Sequence, residues 1–294
     1  MNREKLAGML WGSFCADAYA LGSHWVYDVK EIESANLDLD GFNNPLTTYH
    51  GSKRAGDFTH YGDQTLWLLE SILNEKKFDA IKYAKLWQNN MKEYNGYIDG
   101  ASKATIEGLN KGFSVDVCGS SSRDLSAAGR IAPLIYFYQD DKERLLEAIK
   151  LQTNFTHRNE SVEESALFFA ELTLAMVDGV DLNSAITSLS QNYSTTLQKW
   201  IEQAKQSILL PTVTAISNFG QSCSVNVGFL GVIHLLIKYQ NDYMKALKEN
   251  VLSGGDSAAR GMIVGMVLGA KLENQIKPSF KKSLTNFDKI NSFL

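Results

Sequence analysis

The chain contains little proline and little cysteine, and it lacks both a basic block and a long apolar run. Four prolines stand among 294 residues, a scarcity that permits long uninterrupted helices. The formal net charge is −4, which argues against a protein that neutralises the phosphates of nucleic acids or anionic lipids. No stretch reaches the roughly 20 apolar residues of a membrane span. We therefore expect neither a nucleic-acid nor a membrane partner.

The cysteines are three in number, far apart, and form no CxxC pair: Cys15, Cys118 and Cys223. This pattern fits neither a disulfide framework nor a zinc-finger type of site, so we expect three buried thiols in a reducing compartment. The apolar segment 6–21 is flanked or interrupted by acidic residues and has no clear cleavage site. We therefore predict that it is no signal peptide and that the protein is cytoplasmic.

Apolar residues recur mostly with helical spacing, and alternating runs are nearly absent apart from the short stretch 212–216. The pattern predicts an all-α protein, and because no linker divides the chain we predict a single domain over 1–294. The polar stretches 28–60 and 112–124 are predicted loops, and the length of the first makes it a candidate functional loop. Helices are predicted over 65–73, 78–94, 101–111, 161–178, 182–189, 195–208, 226–237, 242–251 and 256–270, the fourth with a capping box at Ser161–Glu164.

Glycine is abundant, with 22 residues, and part of it recurs at every fourth position inside two predicted helices. These positions are Gly8 and Gly12 near the N-terminus and Gly261, Gly265 and Gly269 near the C-terminus. Glycine inside a helix costs about 1 kcal/mol relative to alanine. Its repeated use predicts that helix backbones approach closely where they cross.

Three aspartates occupy special places, namely Asp17, Asp63 and Asp256. A carboxylate at a helix start often does no more than cap free N–H groups. Asp63 and Asp256, however, both follow glycine and stand among polar residues, a setting typical of metal binding or of sugar and phosphate recognition. These polar neighbours are Asp57, His60 and Gln64 around Asp63, and Ser253 and Ser257 around Asp256.

Four short motifs, in this order, resemble those of the ADP-ribosylglycohydrolase family, whose relatives include the J1 crystallins. They are Ala16–Gly22, Leu125–Arg130 followed by Pro133, Thr156-His157, and Gly254–Ala259 followed by a glycine-rich helix. The resemblance implies a compact multi-helical orthogonal bundle. It also implies hydrolysis of a glycosidic bond in an ADP-ribosyl-like or nucleoside-like substrate.

The chain departs from this family at the metal ligands. The resemblance implies two magnesium ions held by a Thr-Asp-Asp triplet and a late Asp-x-Asp-Thr motif. Here the triplet reads Gly62-Asp63-Gln64, and the late motif keeps Asp256 but has Ala258 in place of its second aspartate. Two carboxylates cannot neutralise two divalent ions, and buried excess charge is costly. We therefore expect either no metal or a single Mg²⁺ held by Asp63, Asp256, Gln64 and water.

The site expected from this resemblance combines acid–base groups with polar and aromatic binding groups. His24 and His60 are expected to handle a proton, since both lie in polar, aromatic loops next to aspartates, whereas His50 is expected at the surface and His234 in the core. The candidate catalytic residues are Asp63, Asp256, His60, His24 and Asp57. The candidate substrate-binding residues are Asp17, Gln64, Ser257, Trp25, Tyr61, Gly254 and Gly255. The alternative is an inactive ligand-binding or structural protein similar to the crystallin relatives.

Overall fold

The computed structural model describes residues 3–294, and this part of the chain is built from helices. The helices are α1 (Arg3–Ala20), α2 (Val29–Ser34), α3 (His60–Glu75), α4 (Ala80–Lys92), α5 (Gly100–Asn110), α6 (Ser126–Gly129), α7 (Ala132–Tyr138), α8 (Lys142–Thr156), α9 (Glu160–Val177), α10 (Leu182–Ser190), α11 (Thr195–Gln206), α12 (Thr212–Phe219), α13 (Val225–Lys238), α14 (Tyr243–Leu252), α15 (Ser257–Lys271), α16 (Pro278–Lys282) and α17 (Phe287–Asn291), with 3₁₀ turns at Thr48–His50 and Glu273–Gln275. Across residues 3–294 the extended pairing is limited to two isolated bridges, Ser120 with His157 and Asp124 with Ser224. The all-α prediction is confirmed.

The centre of the fold is the crossing of α1 and α15, whose side chains are buried almost throughout. A Cβ atom on Gly12 would lie 2.1 Å from the carbonyl oxygen of Gly265, and one on Gly8 would lie 2.5 Å from that of Gly269. Only glycine lets the two backbones come this close. The crossing predicted from the glycine spacing is therefore confirmed, and it fixes the start of α15 next to the end of α1.

Two helices begin at other residues than the sequence pattern predicted. Helix α3 begins at His60, where the Thr59 hydroxyl accepts the Tyr61 N–H, so Asp63 lies in the first turn and does not cap the helix. The predicted capping box at 161–164 is wrong as well. The side chain of Asn159 caps α9 by accepting two backbone N–H groups. The helix therefore begins at Glu160, one residue before Ser161.

Further differences concern segments with weak periodicity. The pattern gave no helix for residues 132–156, where α7 and α8 lie, and none within 28–60, which contains the short helix α2. The alternating run 212–216 is part of helix α12, because Thr212, Ala215 and Ile216 are all buried and their spacing is that of one helix face.

The C-terminal segment packs back onto α1, where the ring of Phe287 stacks on that of Trp11 at a centroid distance of 5.3 Å. Between residues 3 and 294, no helix combines the length and the apolar character needed to cross a bilayer.

Candidate functional site

The start of α3 is held in place by Asp17. Its carboxylate accepts the Thr59 N–H over 2.8 Å and the Thr59 hydroxyl over 2.6 Å. Burial raises the pKa of Asp17 to about 7, against the effect of these two hydrogen bonds. A Cβ at Gly62 would lie 2.2 Å from an Asp17 oxygen, so glycine is required there. Asp17, expected after α1 and in contact with substrate, lies inside the last turn of α1 and is fully buried.

Asp63 is neutralised by a lysine. The ammonium of Lys53, from the loop before α3, lies 2.5 Å from Asp63 Oδ2, and the Tyr94 hydroxyl donates to the same oxygen over 2.5 Å. Burial raises the pKa of Asp63 above its ordinary value even though Lys53 opposes the shift. A cation at this oxygen would have to displace the ammonium group and would be repelled by it.

Two carboxylates, Asp124 and Asp256, share one tyrosine and are called the acid pair below. The hydroxyl of Tyr61 lies 3.2 Å from an oxygen of each. Asp256 caps α15 by accepting the Ala259 N–H, and Asp124 accepts the Ser126 N–H at the start of α6. Since Tyr61 has one proton to donate, it can satisfy only one carboxylate at a time.

Burial raises the pKa values of both members of the acid pair. For Asp124 the pKa reaches about 7, with burial as the main cause and the charge of Asp256 as the next. The pKa of Asp256 is also raised by burial, although the Ala259 N–H and Arg260 oppose it. Two interacting carboxyl groups of this kind titrate as a unit, and the pair retains a proton near neutral pH.

Cys223 lies beside the acid pair, with its sulfur and the carboxylate oxygens within 4.8 Å of one another. The expectation of a fully buried thiol holds for Cys15 and Cys118, but it is wrong for Cys223, which is partly exposed. Burial, followed by the charges of Asp124 and Asp256, raises the pKa of Cys223. The thiol therefore stays protonated and is a poor nucleophile.

His24, His50 and His60 come together on the other side of Asp256, and we call them the histidine cluster. All three are fully buried, and ligand atoms of the three lie within 4.8 Å of one another. Burial and the neighbouring rings lower the pKa of His24 well below its ordinary value and that of His50 to about 3. The surface position expected for His50 is therefore wrong, because the 3₁₀ turn Thr48–His50 directs its ring inward. His234 is in the core as expected, bonded to Ser207 and Thr212.

Asp256 and Asp99 flank the histidine cluster. His24 Nδ1 lies 3.6 Å from Asp256 Oδ1, and His60 Nε2 lies 3.4 Å from Asp99 Oδ2. Burial is the largest single influence and raises the pKa of Asp99, but His60, His157 and the Ser102 N–H together outweigh it and hold this pKa below its ordinary value. The acid pair, Tyr61 and the histidine cluster thus form one continuous polar group.

Trp25 separates the histidine cluster from the surface. Its ring stacks on that of His24 at 4.5 Å and meets the edges of Tyr49 and Tyr97 at 5.3 and 4.8 Å. These two tyrosines line an outer groove of about 420 Å³ that also includes Lys103. Trp25 has a φ of 64°, an unfavourable backbone angle for a bulky residue, and its N–H is held by the Gly255 carbonyl over 2.9 Å. Backbone strain of this kind is typical of functional sites.

Gln64, expected to face substrate or metal, is engaged in the core. Its carbonyl oxygen accepts hydrogen bonds from Trp87 and Arg130, and its amide donates to Ser102 over 3.4 Å. Arg130 also bonds the Thr156 hydroxyl over 2.5 Å. This network binds α3 to α4, α5 and α8 and directs Gln64 away from the acid pair.

The remaining candidates have different surroundings. Asp57 is half-buried and accepts the Arg54 N–H, which closes the loop before α3. Gly254 and Gly255 have φ values of 70° and 69° and shape the turn before Asp256. The Ser257 hydroxyl is buried and has no hydrogen-bond partner within residues 3–294, so among the four it is the one left to bind a ligand.

The donor set does not fit a dimagnesium centre. Mg²⁺ requires oxygen ligands in an octahedron, yet Asp63 is bound by Lys53, Gln64 is bound by Arg130, and Ala258 offers no ligand atom. The acid pair provides oxygen ligands for at most part of such a site.

Sequence reasoning missed Asp124, Asp99, Lys53 and His50, as well as the role of Cys223. Asp124 directly precedes the Leu125–Arg130 motif, and Asp99 is the N-cap of α5, so a search for acidic residues at motif and helix starts would have found both. Lys53 and His50 lie in the long loop 28–60 that was predicted to be functional. Their partners are set by tertiary contacts, which no local pattern reveals.

Comparison with known proteins agrees with this architecture. A family model described as ADP-ribosylglycohydrolase matches residues 1–294. Crystallins J1A and J1B of Tripedalia cystophora are 23% and 24% identical, and each alignment covers 94% of this chain and 90% of the crystallin. A solved structure described as an ADP-ribosylglycohydrolase-related protein complex superposes with a TM-score of 0.77 at 16% identity, covering 99% of this chain and 95% of that one.

Proposed function

Because the chain belongs to the ADP-ribosylglycohydrolase family, we propose that it hydrolyses a glycosidic bond in an ADP-ribosyl-like or other nucleoside-like substrate, without a dimagnesium centre. The observation that carries the proposal is the acid pair, in which two carboxylates with raised pKa values share the Tyr61 hydroxyl. Hydrolysis of a glycosidic bond needs one carboxylic acid and one carboxylate near the same bond. A pair that holds one proton near neutral pH supplies both.

The acid pair supplies both the acid and the base of the proposed reaction. Asp256 is buried, whereas Asp124 is partly exposed beside Cys223. We assign the proton donated to the leaving group to the acid pair, and the activation of water to whichever carboxylate is ionised. His24 lies 3.6 Å from Asp256, and in this proposal it orients Asp256 while Tyr61 donates its one proton to the ionised carboxylate of the pair.

One exposed aromatic side chain near the acid pair fits a nucleoside. Tyr27 is 52% exposed. Partial burial and the charge of Asp256 raise the pKa of its hydroxyl, so Tyr27 is near enough to Asp256 to interact with its charge. An exposed ring at this position can stack on a base or sugar. The buried Ser257 hydroxyl next to Asp256 supplies a polar contact.

The experiment is a glycosidase assay with N- and O-glycosides of ADP-ribose and nucleosides. Asp124→Asn and Asp256→Asn are compared with Asp181→Asn, an exposed helix cap on α10 that keeps its capping oxygen. Loss of general acid–base catalysis should lower kcat by about 10²–10⁴-fold in the first two variants and leave the third unchanged. Equal turnover in all three would remove the acid pair from the reaction.

A structural role is the second candidate, favoured by the similarity to J1 crystallins and by the Lys53–Asp63 pair, which replaces a cation with a side chain. A ligand that binds the folded state alone raises its stability by about 2.7 kcal/mol at a hundredfold excess over Kd. A thermal shift with ADP-ribose together with turnover therefore favours the hydrolase, whereas a shift without turnover favours an inactive ligand-binding protein. No shift together with no turnover on any glycoside favours the structural role.

A further inference from the structure

The histidine cluster contains ring nitrogens without partners. His24 Nε2 and both nitrogens of His50 and of His60 are buried and have no hydrogen-bond partner in the described part of the chain. Buried polar atoms of this kind are rare in folded proteins, and each needs an explanation. Three such rings with ligand atoms within 4.8 Å of one another point to a shared ligand.

The protonation state of these rings suits a cation. Burial and the neighbouring rings lower the pKa of His24 and lower that of His50 to about 3. Burial thus favours the neutral imidazole, which is the form that carries the lone pair a metal ligand needs. Three positively charged imidazoles whose nitrogens lie within 4.8 Å of one another would repel each other strongly.

Carboxylates stand behind two of the three rings. Asp99 lies 3.4 Å from His60 Nε2, and Asp256 lies 3.6 Å from His24 Nδ1. A carboxylate on one ring nitrogen is the usual support of a metal-binding histidine, because it fixes the tautomer and leaves the opposite nitrogen free. The Ala258 N–H donates to His24 Nδ1 over 3.3 Å, so in this geometry the proton of the neutral ring is on Nε2. Ion binding through Nε2 therefore requires the proton to move to Nδ1 and the ring to rotate, so that Nδ1 faces Asp256 and no longer the Ala258 N–H.

The spacing is close to that of a metal site. With Zn–N bonds of about 2.0–2.1 Å, tetrahedral ligands lie about 3.4 Å apart. The present atoms lie within 4.8 Å of one another, so small ring rotations close the difference. Three imidazoles select ions of the Zn²⁺, Co²⁺ or Cu²⁺ type, whereas Mg²⁺ prefers oxygen ligands.

We propose that His24, His50 and His60 form a binding site for one divalent transition-metal ion of the Zn²⁺ or Co²⁺ type. The inference goes beyond the proposed hydrolysis, because ion binding is measured without substrate. A loaded site would fix the His24 proton on Nδ1, directed at Asp256, and would thereby couple the ion to the acid pair. Trp25, stacked on His24 at 4.5 Å, would cover the ion from the outer groove.

The experiment titrates Co²⁺ into the full-length, chelator-treated protein and follows the visible absorption of bound Co²⁺ together with quenching of the tryptophan fluorescence, to which Trp25 contributes. One saturable equivalent is expected. His24→Gln and His50→Gln should each weaken binding by at least about 100-fold, and Asp99→Asn, which keeps the α5 cap, by about 10–100-fold. His234→Gln is the matched control, since it changes a buried histidine outside the cluster and should bind like the wild type. Circular dichroism checks that each variant is folded.

Two results would overturn the proposal. The first is the absence of saturable Co²⁺ and Zn²⁺ binding in the wild type. The second is binding that folded His24→Gln and His50→Gln variants retain in full. An ion held instead by Asp124, Cys223 and Asp256 would give a thiolate charge-transfer band and would be lost in Cys223→Ser, which also overturns the histidine site. Glycoside turnover of the chelator-treated protein is measured separately. The proposed hydrolysis and the proposed metal site can therefore fail independently of each other.

Discussion

The Lys53 ammonium lies 2.5 Å from Asp63 Oδ2, at a carboxylate that in magnesium-dependent relatives is expected to hold an ion. Both side chains are mostly buried, with 15% and 12% of their surface exposed. One positive charge carried by the chain itself therefore neutralises this aspartate. The pair agrees with the departures at Gln64 and Ala258, which likewise leave fewer ligands for an ion.

Removal of the lysine should destabilise the fold. Lys53→Met leaves Asp63 charged and buried without its partner, and this should lower the free energy of unfolding by about 2–3 kcal/mol, less than the 3–5 kcal/mol of a fully buried pair. The loss should shrink as the pH falls, since the pKa of Asp63 is raised and protonation removes the unpaired charge. Urea unfolding at several pH values measures both effects.

The controls for this prediction are one double and one distant variant. Lys53→Met combined with Asp63→Asn removes both charges and should recover most of the loss. Lys111→Met breaks an exposed i,i+4 pair with Glu107 and should leave stability essentially unchanged. A stable Lys53→Met single variant would mean that the pair does not neutralise a buried charge.

Asp17 should make stability depend on pH. Its pKa is about 7 in the folded chain and 3.8 in the reference state, so between these values the folded state binds more protons. This contribution to stability is present in full below about pH 4, falls with rising pH by up to about 1.4 kcal/mol per pH unit, and is lost above about pH 7. Asp17→Asn should flatten the slope of unfolding free energy against pH. An identical slope in both proteins would contradict the raised pKa.

The glycine crossing should tolerate no side chain. In Gly12→Ala the new Cβ meets a backbone oxygen 2.1 Å away, and overpacking against a rigid backbone should cost about 3 kcal/mol or more. Gly100→Ala, where no atom lies within 4 Å of the added Cβ, should be neutral or stabilising by about 0.4–1 kcal/mol. Thermal unfolding compares the two, and equal midpoints would contradict the close contact of α1 and α15.

The acid pair should limit turnover at high pH. Since the reaction needs one proton on the pair and the pKa of Asp124 is about 7, kcat/KM should fall as the pH rises above this value. Tyr61→Phe removes a hydrogen bond that stabilises the carboxylate form, so the pKa values rise and the descending limb should move to higher pH. A limb that keeps its position in Tyr61→Phe would separate Tyr61 from the titrating groups.

The parts of the molecule that sequence predicted well are those governed by local spacing. The α1–α15 crossing follows from glycines four residues apart, and Asp256 caps α15 as its place before the glycine-rich helix indicates. The resemblance to the family, carried by short ordered motifs, is confirmed over the whole chain.

The parts that sequence did not predict depend on contacts between distant segments. Asp124, Asp256 and Tyr61 come from three separate regions of the chain. The hydrophobic periodicity of the sequence does not indicate that they are in contact. His50 is expected at the surface, yet the 3₁₀ turn Thr48–His50 directs it inward. Lys53 is one of two lysines in the stretch 28–60, and nothing in the local sequence marks it before its partner Asp63 is known.

Isothermal titration of Mg²⁺ into the chelator-treated full-length chain tests most directly the claim that this site has no dimagnesium centre. Lys53 already neutralises Asp63, and Gln64 and Ala258 provide no further carboxylate. We therefore expect no saturable binding of two Mg²⁺ ions, and the same titration curve for Asp63→Asn as for the wild type. Two Mg²⁺ ions per chain, with binding abolished in Asp63→Asn, would contradict the account.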